Sequence, residues 1–112
     1  MSASRQVGKY KVVMQWKPLP AHAVGANWTV GMYRVIVRQP ESRHNIDHEI
    51  IFIWREPSKA GYGYTAEELG LTNTSLGTKR AYDIILRKFC MTQRALRPNR
   101  TLYQDLCAEL GV

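Results

Sequence analysis

Residues 75–96 place the strongest constraint on the fold. Set at 100° per residue, Ala81, Tyr82, Ile85, Phe89 and Leu96 fall on one side of a helix. Pro98 forbids its continuation, because proline removes a backbone donor and clashes with the preceding turn. A helix this long with a broad apolar stripe needs a surface to cover.

The first half of the chain supplies that surface. In residues 10–16, Tyr10, Val12, Met14 and Trp16 alternate with Lys11 and Gln15, and Lys9 and Lys17 flank the run. Period two predicts a strand with one apolar and one basic face. Pro18 and Pro20 then end it, and residues 17–28 read as a loop with Gly25 and Asn27 at turns. Residues 28–39 carry Val30, Tyr33, Val35, Ile36 and Val37, with Arg34 and Arg38 on one side. Residues 49–55 are apolar on both faces, which suits a central strand. Short connections favour an antiparallel meander.

Beyond Pro57 the pattern changes. Thr65-Ala-Glu-Glu68 has capping-box spacing and opens a short helix that Gly70 ends. Thr101 with Gln104 offers a second box, ahead of Leu102, Leu106 and Leu110 at helical spacing. The predicted class is α+β. A small antiparallel three-stranded sheet (about 8–16, 28–39, 49–55) packs against C-terminal helices (about 65–70, 75–96, 101–110). All 112 residues make one domain, since a chain of this length is one ordinary core. Two sheet edges would remain, and these admit a homodimer.

Location is read from what is missing. Met1-Ser-Ala-Ser-Arg-Gln has no apolar stretch behind it, unlike a secretory signal. The longest apolar run, Ile50 to Trp54, is far below the roughly 20 residues of a membrane-spanning helix. A cytoplasmic protein without membrane attachment is expected, with the N-x-S/T triplets at Asn27, Asn73 and Asn99 coincidental. Cys90 and Cys107 fall on apolar helix faces and are expected as reduced core residues, a disulfide between the helices being the alternative.

Charge is the main functional signal. Lys and Arg number 16 against 9 Asp and Glu, a net of +7. Residues 79–100 hold Lys79, Arg80, Arg87, Lys88, Arg94, Arg97 and Arg100 against Asp83 alone, so nearly all the excess sits there. Arg80, Arg87 and Arg94, seven apart, line one helix side, and the arginine fork suits phosphate contacts. A solvated polar face is the bland alternative. Residues 65–76 resemble the core of a helix-turn-helix, with Asn73, Thr74, Thr78 and Lys79 facing a groove. Gly77 and Lys79 depart from that pattern. Tyr62 and Tyr64, in a glycine loop behind Lys59, offer base stacking or pack at the core edge.

His44-x3-His48 with Glu49, and His22 elsewhere, have a loose metal-ligand or nuclease-like character. Asp47 can equally close its own turn. No phosphate-binding glycine fingerprint or catalytic triad is present, so no enzyme, cofactor or metal is expected. The expected partner is nucleic acid, DNA or RNA, bound by the arginine stripe with Tyr62 and Tyr64. An acidic protein docking on the same basic face is the alternative.

Overall fold

The computed structural model describes residues 2–19, 23–24, 27–39, 41–42, 44–56 and 62–112. His22, Lys59 and Gly61 lie outside them, as do Pro20, Gly25, Pro40 and Pro57. The architecture is α+β. Strands β1 (Ser2–Val7), β2 (Tyr10–Pro18), β3 (Ala23–Val24), β4 (Asn27–Arg38), β5 (Asn45–Trp54) and β6 (Gly63–Thr65) precede helices α1 (Lys79–Leu96) and α2 (Thr101–Leu110).

The sheet runs β1-β2-β4-β5-β6, with β3 paired beside β4. Three antiparallel strands were expected, and all three form, but the sheet is wider and mixed. β1 escaped prediction because Ser2 to Gln6 lacks apolar alternation; it is held by backbone pairing with β2. The first predicted strand began at Gly8, yet Gly8 and Lys9 form the hairpin turn, with Gly8 at a φ of 57°. β6 pairs parallel to β5, and no local pattern in three residues could reveal that.

The predicted helix at 65–70 is a 3-10 turn, Glu67–Leu69, and a second such turn, Asn73–Ser75, precedes α1. The Thr65–Glu68 box does form, Glu68 N–H donating to Thr65 Oγ1 at 3.1 Å and Thr65 N–H to Glu68 Oε2 at 3.4 Å. It caps too short a segment for an α-helix because Gly70 turns left-handed at φ 68°. The long helix starts at Lys79 instead of 75, where Thr78 Oγ1 accepts from Ala81 N–H at 3.3 Å. The Thr101–Gln104 box does not form. Arg100 is the N-cap of α2, and Gln104 Nε2 donates to the Pro98 carbonyl at 2.8 Å.

Both helices lie on one sheet face. Tyr10, Val12, Met14 and Trp16 of β2, Tyr33, Val35 and Val37 of β4 and Ile51 and Ile53 of β5 are buried there. They meet Ala81, Tyr82, Ile85, Leu86, Phe89 and Cys90 of α1, with Leu102, Leu106 and Leu110 of α2. Leu96, expected on the apolar side, is 66% exposed at the last turn of α1. Phe89 meets Tyr103 edge-on at 5.7 Å, joining the helices. Cys90 and Cys107 are free and buried. Burial, then the neighbouring Cys107, pushes the Cys90 thiol up to about 12. Among the described residues no helix is long and apolar enough to cross a membrane.

Gly31 is fixed by contact. The Trp16 ring lies across it, and a Cβ there would stand 2.3 Å from Trp16 Cη2. Gly31→Val is therefore expected to cost between about 1 and 3 kcal/mol as an overpacked core. Urea denaturation checks this, and an unchanged midpoint would refute the placement of Trp16.

Candidate nucleic-acid interface

The arginine stripe on α1 divides into two groups. Arg87 Nε donates to Asp83 Oδ2 at 3.0 Å, and its Nη1 donates to the Leu110 carbonyl at 2.8 Å. Two turns on, Arg94 Nη1 donates to the Val112 carbonyl at 3.0 Å. The seven-residue spacing thus carries cations to the C-terminal end of α2, whose last carbonyls have no intrahelical donors. Arg97 reaches Asp47 at 3.4 Å and Glu49 at 3.9 Å. Arg100 reaches Asp47 at 3.4 Å and the Ile46 carbonyl at 2.9 Å. These four arginines fasten the end of α2 and the first half of β5. Lys79, Arg80 and Lys88 are exposed and make no ion pair among the described residues.

Residues 65–76 do not form the helix pair that a helix-turn-helix requires, since both segments are 3-10 turns of three residues. Tyr62 and Tyr64 sit on the helical side of the sheet. The Tyr64 hydroxyl is 2.9 Å from Thr92 Oγ1, the rings meet edge-on at 6.0 Å, and the Tyr62 hydroxyl is buried. Neither is an open stacking platform. His44 stands in a loop and His48 on β5, both exposed. Among the described residues no three His, Cys, Asp or Glu side chains gather as metal ligands would.

Among the described residues no helix lies on the opposite face of the sheet, and the strand register fixes what it presents. Lys11 of β2 stands opposite Arg38 of β4, and Val13 opposite Ile36. Gln15 pairs with Arg34, and Lys17 with Met32. β5 extends these rows, Ile36 facing His48, Arg34 facing Ile50 and Met32 facing Phe52. The face therefore carries Val13, Met32, Ile36, Ile50 and Phe52, with Arg34 in their midst and Lys11, Arg38 and Lys17 towards its ends. Among the described residues it carries no carboxylate, because Asp47 and Glu49 point to the helical side, where Arg97 and Arg100 meet them.

Phe52 is half-buried and its ring lies 5.3 Å from Trp54, tilted by 32°. Trp54 itself is buried. It folds over Gly63, where a Cβ would come within 2.6 Å of its Nε1. Arg38 Nε donates to Asn45 Oδ1 at 3.1 Å. Arg34 Nε is buried and has no hydrogen-bond partner. Like charges directly opposite on adjacent strands are unfavourable, so the Lys11–Arg38 pair costs stability unless an anion meets it.

The sequence did show the basic sides of β2 and β4. What it could not show was that Lys11 and Arg38 are cross-strand neighbours. Comparisons with protein-family models, curated proteins and solved structures give no match for this chain.

Asp83 sits between Arg87 and Arg5, whose Nη1 is 2.9 Å from Oδ1. Burial pushes its carboxyl up, but hydrogen bonds and charge from Arg87 and Arg5 outweigh this and hold it below the ordinary 3.8. A depressed carboxyl stabilises the fold above its unfolded value and loses that contribution as pH falls through its folded value. Asp83 is well exposed, so Asp83→Asn should cost only about 0.5 kcal/mol at neutral pH. The difference should vanish in strong acid, and melting curves of both proteins across pH test it. Replacing Arg87 and Arg94 together by Gln removes charged bonds to Asp83, to the Leu110 carbonyl that ends α2 and to the Val112 oxygen just past it. About 2 kcal/mol should be lost, read from the denaturation midpoint.

Proposed function

We propose that the protein binds single-stranded nucleic acid on the uncovered sheet face. The observation that carries this reading is a sheet surface with Lys11, Lys17, Arg34 and Arg38 and no described carboxylate. A polyanion satisfies those cations and relieves the Lys11–Arg38 repulsion. The half-exposed Phe52 ring, backed by Trp54, offers an unpaired base something to stack on, and stacking tolerates any base. A duplex keeps its bases inside its own stack and would meet this face only through phosphates.

Four of the seven basic residues expected to contact phosphate also have partners within the fold. Arg87, Arg94, Arg97 and Arg100 act in the fold, and Lys79, Arg80 and Lys88 remain as cations that raise the general attraction for polyanions.

The apolar residues of the same face, Val13, Ile36 and Ile50, support a second reading, an acidic protein partner. Fluorescence anisotropy with single-stranded RNA, single-stranded DNA and duplex, at several salt concentrations, separates these. Single strands should bind at least tenfold more tightly than duplex. Each phosphate contact adds about 0.7 to the salt slope on a single strand. Lys11→Gln, Arg34→Gln and Arg38→Gln together should therefore lower that slope by about 2. The same replacement at Lys79, Arg80 and Lys88 should change it less. An unaltered slope in the sheet variant removes the proposal. So do flat traces at low salt, and a partner that survives nuclease in a pull-down would then favour the protein reading.

A further inference from the structure

The cleft between the β1 edge of the sheet and the first turns of α1 is independent of the open face. It has a volume of about 700 Å³, within the range of pockets that enclose a small organic ligand. Its origin is in the sequence. β1 offers Ala3 to the helical side, opposite Met14, and a methyl group cannot fill the gap between the sheet and α1. Val12, Met14, Tyr82 and Leu86 line the interior, and Arg5, Lys79 and Arg80 stand among the lining residues.

The charge at this end of α1 is unusual for a helix start. The first turn holds no acidic residue and carries Lys79 and Arg80 on top of the positive end of the helix dipole. Both side chains are exposed and unpaired among the described residues. Arg5, by contrast, is neutralised by Asp83 at 2.9 Å. Tyr82 is 8% exposed, and its buried hydroxyl has no hydrogen-bond partner. Apolar walls thus meet an excess of positive charge at the mouth.

We infer that this cleft binds a small anionic amphiphile, an aliphatic chain with one carboxylate or phosphate head, with the chain against Val12, Met14 and Leu86 and the head at Lys79 and Arg80. An uncharged chain would leave the two cations unmet, and an inorganic anion would leave the apolar walls wet. The class of ligand follows from needing both.

The test uses the full chain and calorimetric titration with laurate, dodecyl phosphate, dodecanol and inorganic phosphate, each below its micelle concentration. Laurate or dodecyl phosphate should bind with one-to-one saturation, at least tenfold more tightly than dodecanol, and inorganic phosphate should give no heat. Whichever of the two heads binds more tightly identifies the anion preferred. Lys79→Gln with Arg80→Gln should weaken the charged amphiphile tenfold and leave dodecanol unchanged. Ala3→Phe should fill the cleft and abolish binding while the protein still melts cooperatively. If Ala3→Phe does not fold, Ala3→Leu serves as the milder filling variant. Equal affinity for laurate and dodecanol, or undiminished binding by a folded filling variant, overturns the assignment. Single-stranded nucleic acid should bind the Ala3→Phe protein as before, so failure here and failure at the open face are distinguishable.

Discussion

Tyr33 holds the two halves of the molecule together. It lies fully buried in β4, its ring 4.7 Å from Trp16 on β2 and edge-on to Tyr82 of α1 at 5.9 Å. Its hydroxyl donates to the Leu76 carbonyl in the segment leading into α1. One side chain thereby sets the sheet, the connector and the long helix against each other. Burial, reinforced by Tyr82, pushes its phenol well above the ordinary range, so it stays a neutral donor. With this contact made, both helices are committed to one face, and the other face must meet solvent or a partner.

That commitment sorts the charge. The carboxylates of β5 that face the helices, Asp47 and Glu49, take up Arg97 and Arg100. The carbonyls at the end of α2 take up Arg87 and Arg94. Internal partners thus take up four of the seven cations in the densest run of positive charge in the chain. Among the described residues, the cations without a carboxylate include those of the open sheet face, the start of α1 and Lys88. A net charge of +7 says only that anions are attracted. Two surfaces of different character follow from how that charge is distributed, one broad with apolar residues among its cations and one a cleft with apolar walls.

Much of the fold was legible. The period-two run of β2, the β-rich run of β4, the apolar run of β5 and the helical stripes of α1 and α2 each report a local geometry that one segment reveals by itself. β1 was not legible, because Ser2 to Gln6 owes its conformation to hydrogen bonds with β2 and buries few side chains. β6 failed for a related reason, three residues held by a parallel neighbour. The short helix at 65–70 was misread because its cap is real and its length is not. Thr65 and Glu68 bond reciprocally, but Gly70 reverses the chain a few residues later.

The sequence by itself determined the cores of β2, β4, β5, α1 and α2 and the basic sides of β2, β4 and α1, since backbone periodicity is a property of neighbours along the chain. The tertiary structure alone decided where the arginines go. Arg87 and Arg94 looked like a ligand-facing stripe until α2 folded back and presented its carbonyls. Lys11 and Arg38 became one basic patch only when β2 and β4 paired in a particular register. Charge acts through space, and contacts between residues far apart in the chain exist only after the core has chosen which faces to bury.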